Sequence, residues 1–243
     1  MSSFYAGHDL EVLMDLDRYT DWILSDFRPF LGSAVVEIGA GIGNVAQRFV
    51  GDAERVLLVE PAANLGEQLL DRMSIHPHVE TLCGTSTDVD LGRHGGAFDT
   101  AIMVNVLEHI EDDSGALKDI WRLLRPGGAL CIFVPALPWL FGSLDEVLCH
   151  HRRYTRASLA EVIEGAGFIL DHQRYFDVLG LLPWLITGRL LRLRRIDPVA
   201  ARIYDRFGVF LSQKIERIMA PPLAKSLIAI ARKPSYEARG DRG

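Results

Sequence analysis

The stretch that decides the fold is Ala34-Val35-Val36-Glu37-Ile38-Gly39-Ala40-Gly41-Ile42-Gly43. It is a short apolar run stopped by three alternating glycines. Such a run reads as a buried β-strand, and the glycines let a backbone approach a ligand where a Cβ would clash. Asn44 to Val50 reads as a helix opening directly behind the glycines, which would offer free N–H groups and a positive dipole end. The next apolar run, Arg55 to Val59, ends at Glu60-Pro61. That places a carboxylate about 20 residues beyond the glycines, where it can take both hydroxyls of a ribose.

Working outward, strand and helix patterns alternate. Asn64 to Met73 reads as a helix, Val79 to Cys83 as a third strand and Phe98 to Val104 as a fourth. A helix near Asp113 to Leu124 follows, then the turn Pro126-Gly127-Gly128 and a fifth strand, Ala129 to Val134. Upstream, Asp9 to Phe27 has helical apolar spacing. Downstream, Thr155 caps a helix that Gly165 and Gly167 stop. Phe168 to Tyr175 and Ser226 to Arg232 are the last strands. Between them, Asp197-Pro198 starts a helix that Pro221-Pro222 stops. The expected fold is α/β: a doubly wound, mostly parallel sheet, with an N-terminal helix and a helical insert before the last strand. Residues 1–243 read as one domain, with residues 177–222 as a helical lid within it. Pro234 to Gly243 reads as a frayed tail.

Two details of the glycine loop narrow its ligand. The third glycine falls one residue earlier than in the Gly-x-Gly-x-x-Gly pyrophosphate fingerprint. Glu37 stands just before the loop, where it would repel a pyrophosphate and attract a cation. At these residues the chain resembles the class I S-adenosylmethionine (SAM)-dependent methyltransferases, in particular their small-molecule branch. The resemblance is carried by Val35 to Gly43, Val59-Glu60-Pro61, Phe98-Asp99 through Asn105-Val106-Leu107-Glu108-His109-Ile110, and Leu124-Arg125-Pro126-Gly127-Gly128. It covers residues 34–135 well and reaches more loosely to His151-Arg152-Arg153-Tyr154 and the closing strand.

The resemblance implies a seven-stranded sheet with an antiparallel last strand and SAM as cofactor. It places Glu37, Gly39, Gly41 and Gly43 against the methionine part of SAM, Glu60 and Pro61 at the ribose, and Asn105, Val106 and His109 along the cofactor. Tyr19 would close over the methionine end. Relatives often carry an Asp after the third strand that bonds the adenine amine. Here Thr85 stands in that place, which leaves the adenine to a backbone carbonyl, Ser86 or Asp88.

An acceptor that carries a proton must lose it, and histidine has the right pKa range for that task. His109, His150 and His151 are the candidates, with His109 and His151 the leading pair. Arg152 and Arg153 could grip an anionic group or form ion pairs, and Trp139 and Phe141 could wall a pocket. The apolar run Leu181 to Ile186, followed by Arg189, Arg192, Arg194 and Arg195, suits a lid over a hydrophobic, lipid-like acceptor or a peripheral membrane contact.

The chain of 243 residues is 49% hydrophobic and 24% charged, with a net charge of −6. That balance does not suit a general nucleic-acid binder. The three cysteines show no Cys-x-x-Cys pair, so neither disulfides nor a metal site is expected, and Cys83 and Cys131 read as buried thiols. No signal pattern or spanning segment is evident, and the expected location is cytoplasmic, as monomer or homodimer. The competing readings are an NAD(P)-dependent oxidoreductase, which the loop spacing and Glu37 oppose, and a non-catalytic SAM-binding protein.

Overall fold

The computed structural model describes residues 16–235. The first helix, α1 (Asp17–Phe27), leads to β1 (Ala34–Ile38) and β2 (Arg55–Glu60). There follow α2 (Ala63–Met73), β3 (Val79–Cys83), α3 (Leu91–His94), β4 (Phe98–Val104), α4 (Asp113–Leu123) and β5 (Leu124–Pro135). Then come α5 (Ser143–Val147), α6 (Arg156–Gly165), β6 (Ile169–Phe176), α7 (Leu181–Trp184), α8 (Pro198–Ile203), α9 (Val209–Ile218) and β7 (Ser226–Arg232). Most strand bounds fall within a residue or so of those expected from the pattern; β5 runs longer at its start, back through Pro126-Gly127-Gly128 to Leu124. Thr155 caps α6 and Asp197 caps α8 as their sequences predict.

The seven strands lie in the order β3-β2-β1-β4-β5-β7-β6. β1 to β5 are parallel, and β7 runs antiparallel between β5 and β6. Chain order reverses between β1 and β4, so the crevice at their carboxyl ends is the natural ligand position. The glycine loop leaves β1 at that point.

Period-two alternation divides the core. Val36, Ile38, Leu57 and Met103 face one side of the sheet and pack with Leu117 and Ile120 of α4 and Leu159 of α6. Val35, Val56, Leu58 and Ile102 face the other and meet Trp22, Ile23 and Phe27 of α1, with Phe49 and Phe176. Each such buried side chain contributes about 1.5–3 kcal/mol. Edge strands β3 and β6 are only half covered.

Three local expectations need correction. The stretch behind the glycines forms no α-helix. It makes two short 3-10 turns, Ala46–Arg48 and Val50–Asp52. The Arg48 side chain folds back on the Asn44 carbonyl at 2.6 Å and reaches out to Asp17 and Asp21 of α1, and Gly51 weakens helix propagation. Cys83 ends an edge strand and is exposed, whereas Cys131 on central β5 is buried. The expected helix from Asp9 begins at Asp17 within the described region; its residues before 16, and most of the expected tail, lie outside the described residues.

The helices between β6 and β7 form a cap tied down by buried carboxylates. α7 continues in wider turns to Leu190, and Tyr204–Gly208 joins α8 to α9 in the same manner. Asp205 accepts the Tyr19 N–H at 2.9 Å, so the cap satisfies a free donor of α1. Asp177, fully buried at φ 69°, accepts from Gly180 N at 3.0 Å and from the Tyr204 hydroxyl, and forms an ion pair with Lys225 Nζ at 3.0 Å. Among the described residues no helix is long and apolar enough to cross a membrane.

Candidate active site

β1 ends by placing Glu37 inside the protein. Its carboxylate is 2% exposed, and Oε2 has no hydrogen-bond partner. Burial, and then the nearby Glu60, hold its pKa well above the usual carboxylate range. Glu60 closes β2 and binds the loop directly. Its Oε2 accepts the Gly41 N–H at 2.8 Å and its Oε1 the Ala62 N–H at 2.9 Å. Burial raises the Glu60 pKa, and these two bonds oppose the rise.

The three glycines do different things. All have left-handed φ. A Cβ on Gly39 would lie 2.4 Å from Val106 Cγ2, so Gly39 lets the loop close against the end of β4. A Cβ on Gly43 would strike Met73 at 2.5 Å. A Cβ on Gly41 would meet nothing within 4 Å, so the loop faces open space at that residue. With no α-helix behind it, the loop lacks the positive helix end on which a pyrophosphate rests. It has instead two buried acidic groups, one with an unpartnered oxygen.

Thr85 caps the short turn Ser86–Asp88 beyond β3. Asp88 Oδ2 accepts from Thr85 N at 2.7 Å and Thr85 Oγ1 at 2.8 Å, which lowers the Asp88 pKa. Thr85 is thus engaged locally, and Ser86 is buried. Asn105, with φ 53°, is exposed just past β4. Tyr19 packs edge-on to Trp22 and Phe176, with Lys225 Nζ 4.5 Å from its ring centre.

Beyond Val106, the turn Leu107–His109 brings together residues distant in sequence. The His109 and His150 rings meet at 4.7 Å between centres, nearly perpendicular. His150 Nδ1 lies 2.9 Å from Asp145 Oδ1, and its Nε2 lies 3.9 Å from Glu108 Oε1. Glu108 is fully buried and both its oxygens lack hydrogen-bond partners. Burial lifts the Glu108 pKa to about 8 and, aided by His150, lowers that of His109 to about 4. His151 adjoins the cluster through its backbone N–H, which donates to the Glu108 carbonyl at 2.8 Å, while its side chain is exposed.

The two arginines of this segment are already paired. Arg152 reaches Asp113 at 2.7 Å, and buried Arg153 reaches Asp145 at 2.7 Å beneath the Trp184 ring. Neither is a free grip for a substrate anion. Trp139 is exposed, while Phe141 lines a cavity of about 300 Å³ with Ser143 and with Arg189, Arg192 and Arg194 of the cap. The sequence signalled the Glu108-His109 and His150-His151 pairs. It gave no sign that Asp145 would orient His150.

Residues 36–132 match the model of a family described as a methyltransferase domain. The match spans 97 of the 243 residues and supports the resemblance to the class I SAM-dependent methyltransferases. A Mycolicibacterium smegmatis protein named a probable S-adenosylmethionine-dependent methyltransferase is 27% identical over 152 residues, covering 62% of this chain and 55% of that protein. The ubiquinone biosynthesis O-methyltransferase of Xanthomonas euvesicatoria pv. vesicatoria is 24% identical over 185 residues, covering 70% of this chain and 75% of its own. The chain thus spans only about half the length of the first of these relatives. In fold, it is similar to the Burkholderia thailandensis 1,6-didemethyltoxoflavin-N1-methyltransferase solved with S-adenosylhomocysteine. The TM-score is 0.60 at 19% identity, covering 96% of this chain and 84% of that one. The acidic, glycine-lined end of β1 fits a ligand with an ammonium and a sulfonium, as SAM has.

Proposed function

We propose that this chain transfers the methyl group of SAM to a small, hydrophobic acceptor. The observation that carries this reading is the buried Glu37 carboxylate, whose Oε2 has no hydrogen-bond partner, beside the open face at Gly41. A bare buried carboxylate is costly unless a cation meets it. SAM, when bound, supplies an electrophilic methyl on a sulfonium. Glu37 and the glycine loop hold its methionine end, Glu60 and Pro61 its ribose, and Ser86 or Asp88 its adenine. Tyr19 bounds the methionine side.

The chain's own residues then align the acceptor and handle its proton. Asn105 and Val106 bring the chain from β4 to the His109–His150 cluster, and His151 faces the acceptor side. Residues 177–222 act as a lid. Exposed apolar side chains there, with arginines beside them, favour an acceptor with lipid character.

Calorimetric titration tests the donor. SAM and S-adenosylhomocysteine should bind in the micromolar range, with no binding of NAD or NADP. The reverse preference overturns the reading in favour of an oxidoreductase. Methyl transfer from labelled SAM to a panel of short- and long-chain acceptors tests the rest. Binding without transfer to any acceptor supports a non-catalytic SAM-binding protein.

A further inference from the structure

Glu108, His109 and His150 present an arrangement that methyl transfer alone does not explain. Their donor atoms all lie within 4.8 Å of one another. His150 is held from behind. Its Nδ1 donates to the Asp145 carboxylate, which leaves Nε2 with its lone pair inward. The His109 ring packs nearly perpendicular to that of His150, 4.7 Å between centres. Cys149 adopts φ 59°, in the left-handed region that non-glycine residues rarely visit. Glu108 adds a carboxylate that is fully buried with both oxygens unpartnered.

One carboxyl and two imidazoles therefore gather their ligand atoms at one place. An outer hydrogen bond between a carboxylate and an imidazole, as at His150, is a pattern that orients metal-binding histidines. Asp145 is itself fixed, by Arg153 at 2.7 Å and by the Gly142 N–H at 3.0 Å. The loop is tied to the turn by the His151 N–H on the Glu108 carbonyl.

We propose that Glu108, His109 and His150 bind a divalent first-row transition ion of the zinc class. Two imidazoles and one carboxylate form a borderline-soft set that favours such an ion over magnesium or calcium, which take oxygen ligands. At bond lengths of about 2.1 Å, tetrahedral donors stand about 3.4 Å apart. The 3.9 Å from His150 Nε2 to Glu108 Oε1 closes to that by side-chain rotation of a few tenths of an ångström. Three protein ligands leave a position open, as in catalytic zinc sites. Resting on the methyl-transfer reading, that position would receive an oxygen or nitrogen of the acceptor.

The test uses the full chain, stripped of metal with a chelator and titrated with Zn²⁺ by calorimetry and Co²⁺ by visible absorption. The expected result is one ion per chain and a tetrahedral cobalt band. Glu108→Gln and His150→Ala should each weaken Zn²⁺ binding at least tenfold. His172→Ala, on exposed β6, should leave it unchanged. Wild-type protein that takes up neither ion overturns the proposal without any variant. So does Zn²⁺ binding that survives both site substitutions undiminished in folded protein. No methyl donor enters these measurements, so their failure is separate from failure of the methyl-transfer reading.

Discussion

Glu37 and Glu60 are neighbours at the glycine loop, yet the fold treats them differently. Glu60 has a backbone N–H on each oxygen, whereas Glu37 has an oxygen with none. Glu60→Ala should weaken SAM binding at least tenfold in a calorimetric titration, and a change under twofold would remove Glu60 from the ribose site. It should also cost about 1–2 kcal/mol of stability, because Gly41 N and Ala62 N lose their acceptor. Glu37 carries a pH effect. Its folded pKa lies above its unfolded value, so its contribution to stability is greatest below the unfolded pKa and is lost as pH rises through the folded one. Glu37→Gln should therefore raise the melting temperature of the free protein more at pH 8 than at pH 5. A cationic ligand needs Glu37 ionised. SAM binding should tighten as pH rises and release a proton, seen by calorimetry in buffers of different ionisation enthalpy. The Gln variant should bind at least tenfold more weakly and lose that dependence. An unchanged pH profile in the variant would place the titrating group elsewhere. The placement of Glu37 and Glu60 beside the glycine loop was legible in the sequence because both stand at strand ends. The Glu108 cluster was only partly legible, because Asp145 and His150 meet it through a loop whose path no spacing rule predicts.

Element by element, the periodic segments were readable because burial enforces their pattern. β1 to β5 and β7 have at least one face in the core, and a slip of one residue would expose it. The stretch behind the glycines escaped because its structure depends on Arg48 reaching α1, a tertiary contact that overrides local propensity. Cys83 escaped because strand pattern does not reveal which strand lies at the edge. The cap's helices could be read from Asp197-Pro198, but not their attachment through Asp177. Asparagine tolerates the left-handed backbone there, so Asp177→Asn removes charge with little added strain. Lys225, 20% exposed and paired with Asp177 at 3.0 Å, would lose its partner. The expected cost is about 3 kcal/mol in denaturant unfolding. A loss below about 0.5 kcal/mol would mean that Asp177 does not anchor the cap.

Across the molecule, charge and apolar exposure concentrate on the cap. Residues 181–223 hold eight Lys and Arg against three Asp and Glu, within a chain of net charge −6. The same segment exposes Leu190, Leu191, Phe207, Ile203, Ile218 and Met219 by more than half. Apolar residues flanked by basic ones on short helices suit the boundary of an anionic bilayer, and no described helix is built to span one. In the function proposed above, a cap with this surface would take a lipid-like acceptor from the bilayer without exposing it to water. Each basic residue near such a surface contributes about 1 kcal/mol, so Arg189→Glu, Arg192→Glu and Arg194→Glu together should cut vesicle affinity by at least a hundredfold. In sedimentation with phosphatidylglycerol vesicles, the wild-type protein should bind, with affinity falling as salt shortens the screening length. It should ignore pure phosphatidylcholine, and SAM affinity should be the same in the triple variant. A protein that ignores anionic vesicles and shows no preference for long-chain acceptors would leave the apolar face to a second copy of the chain. Light scattering would then show a dimer whose formation is abolished by Phe207→Asp.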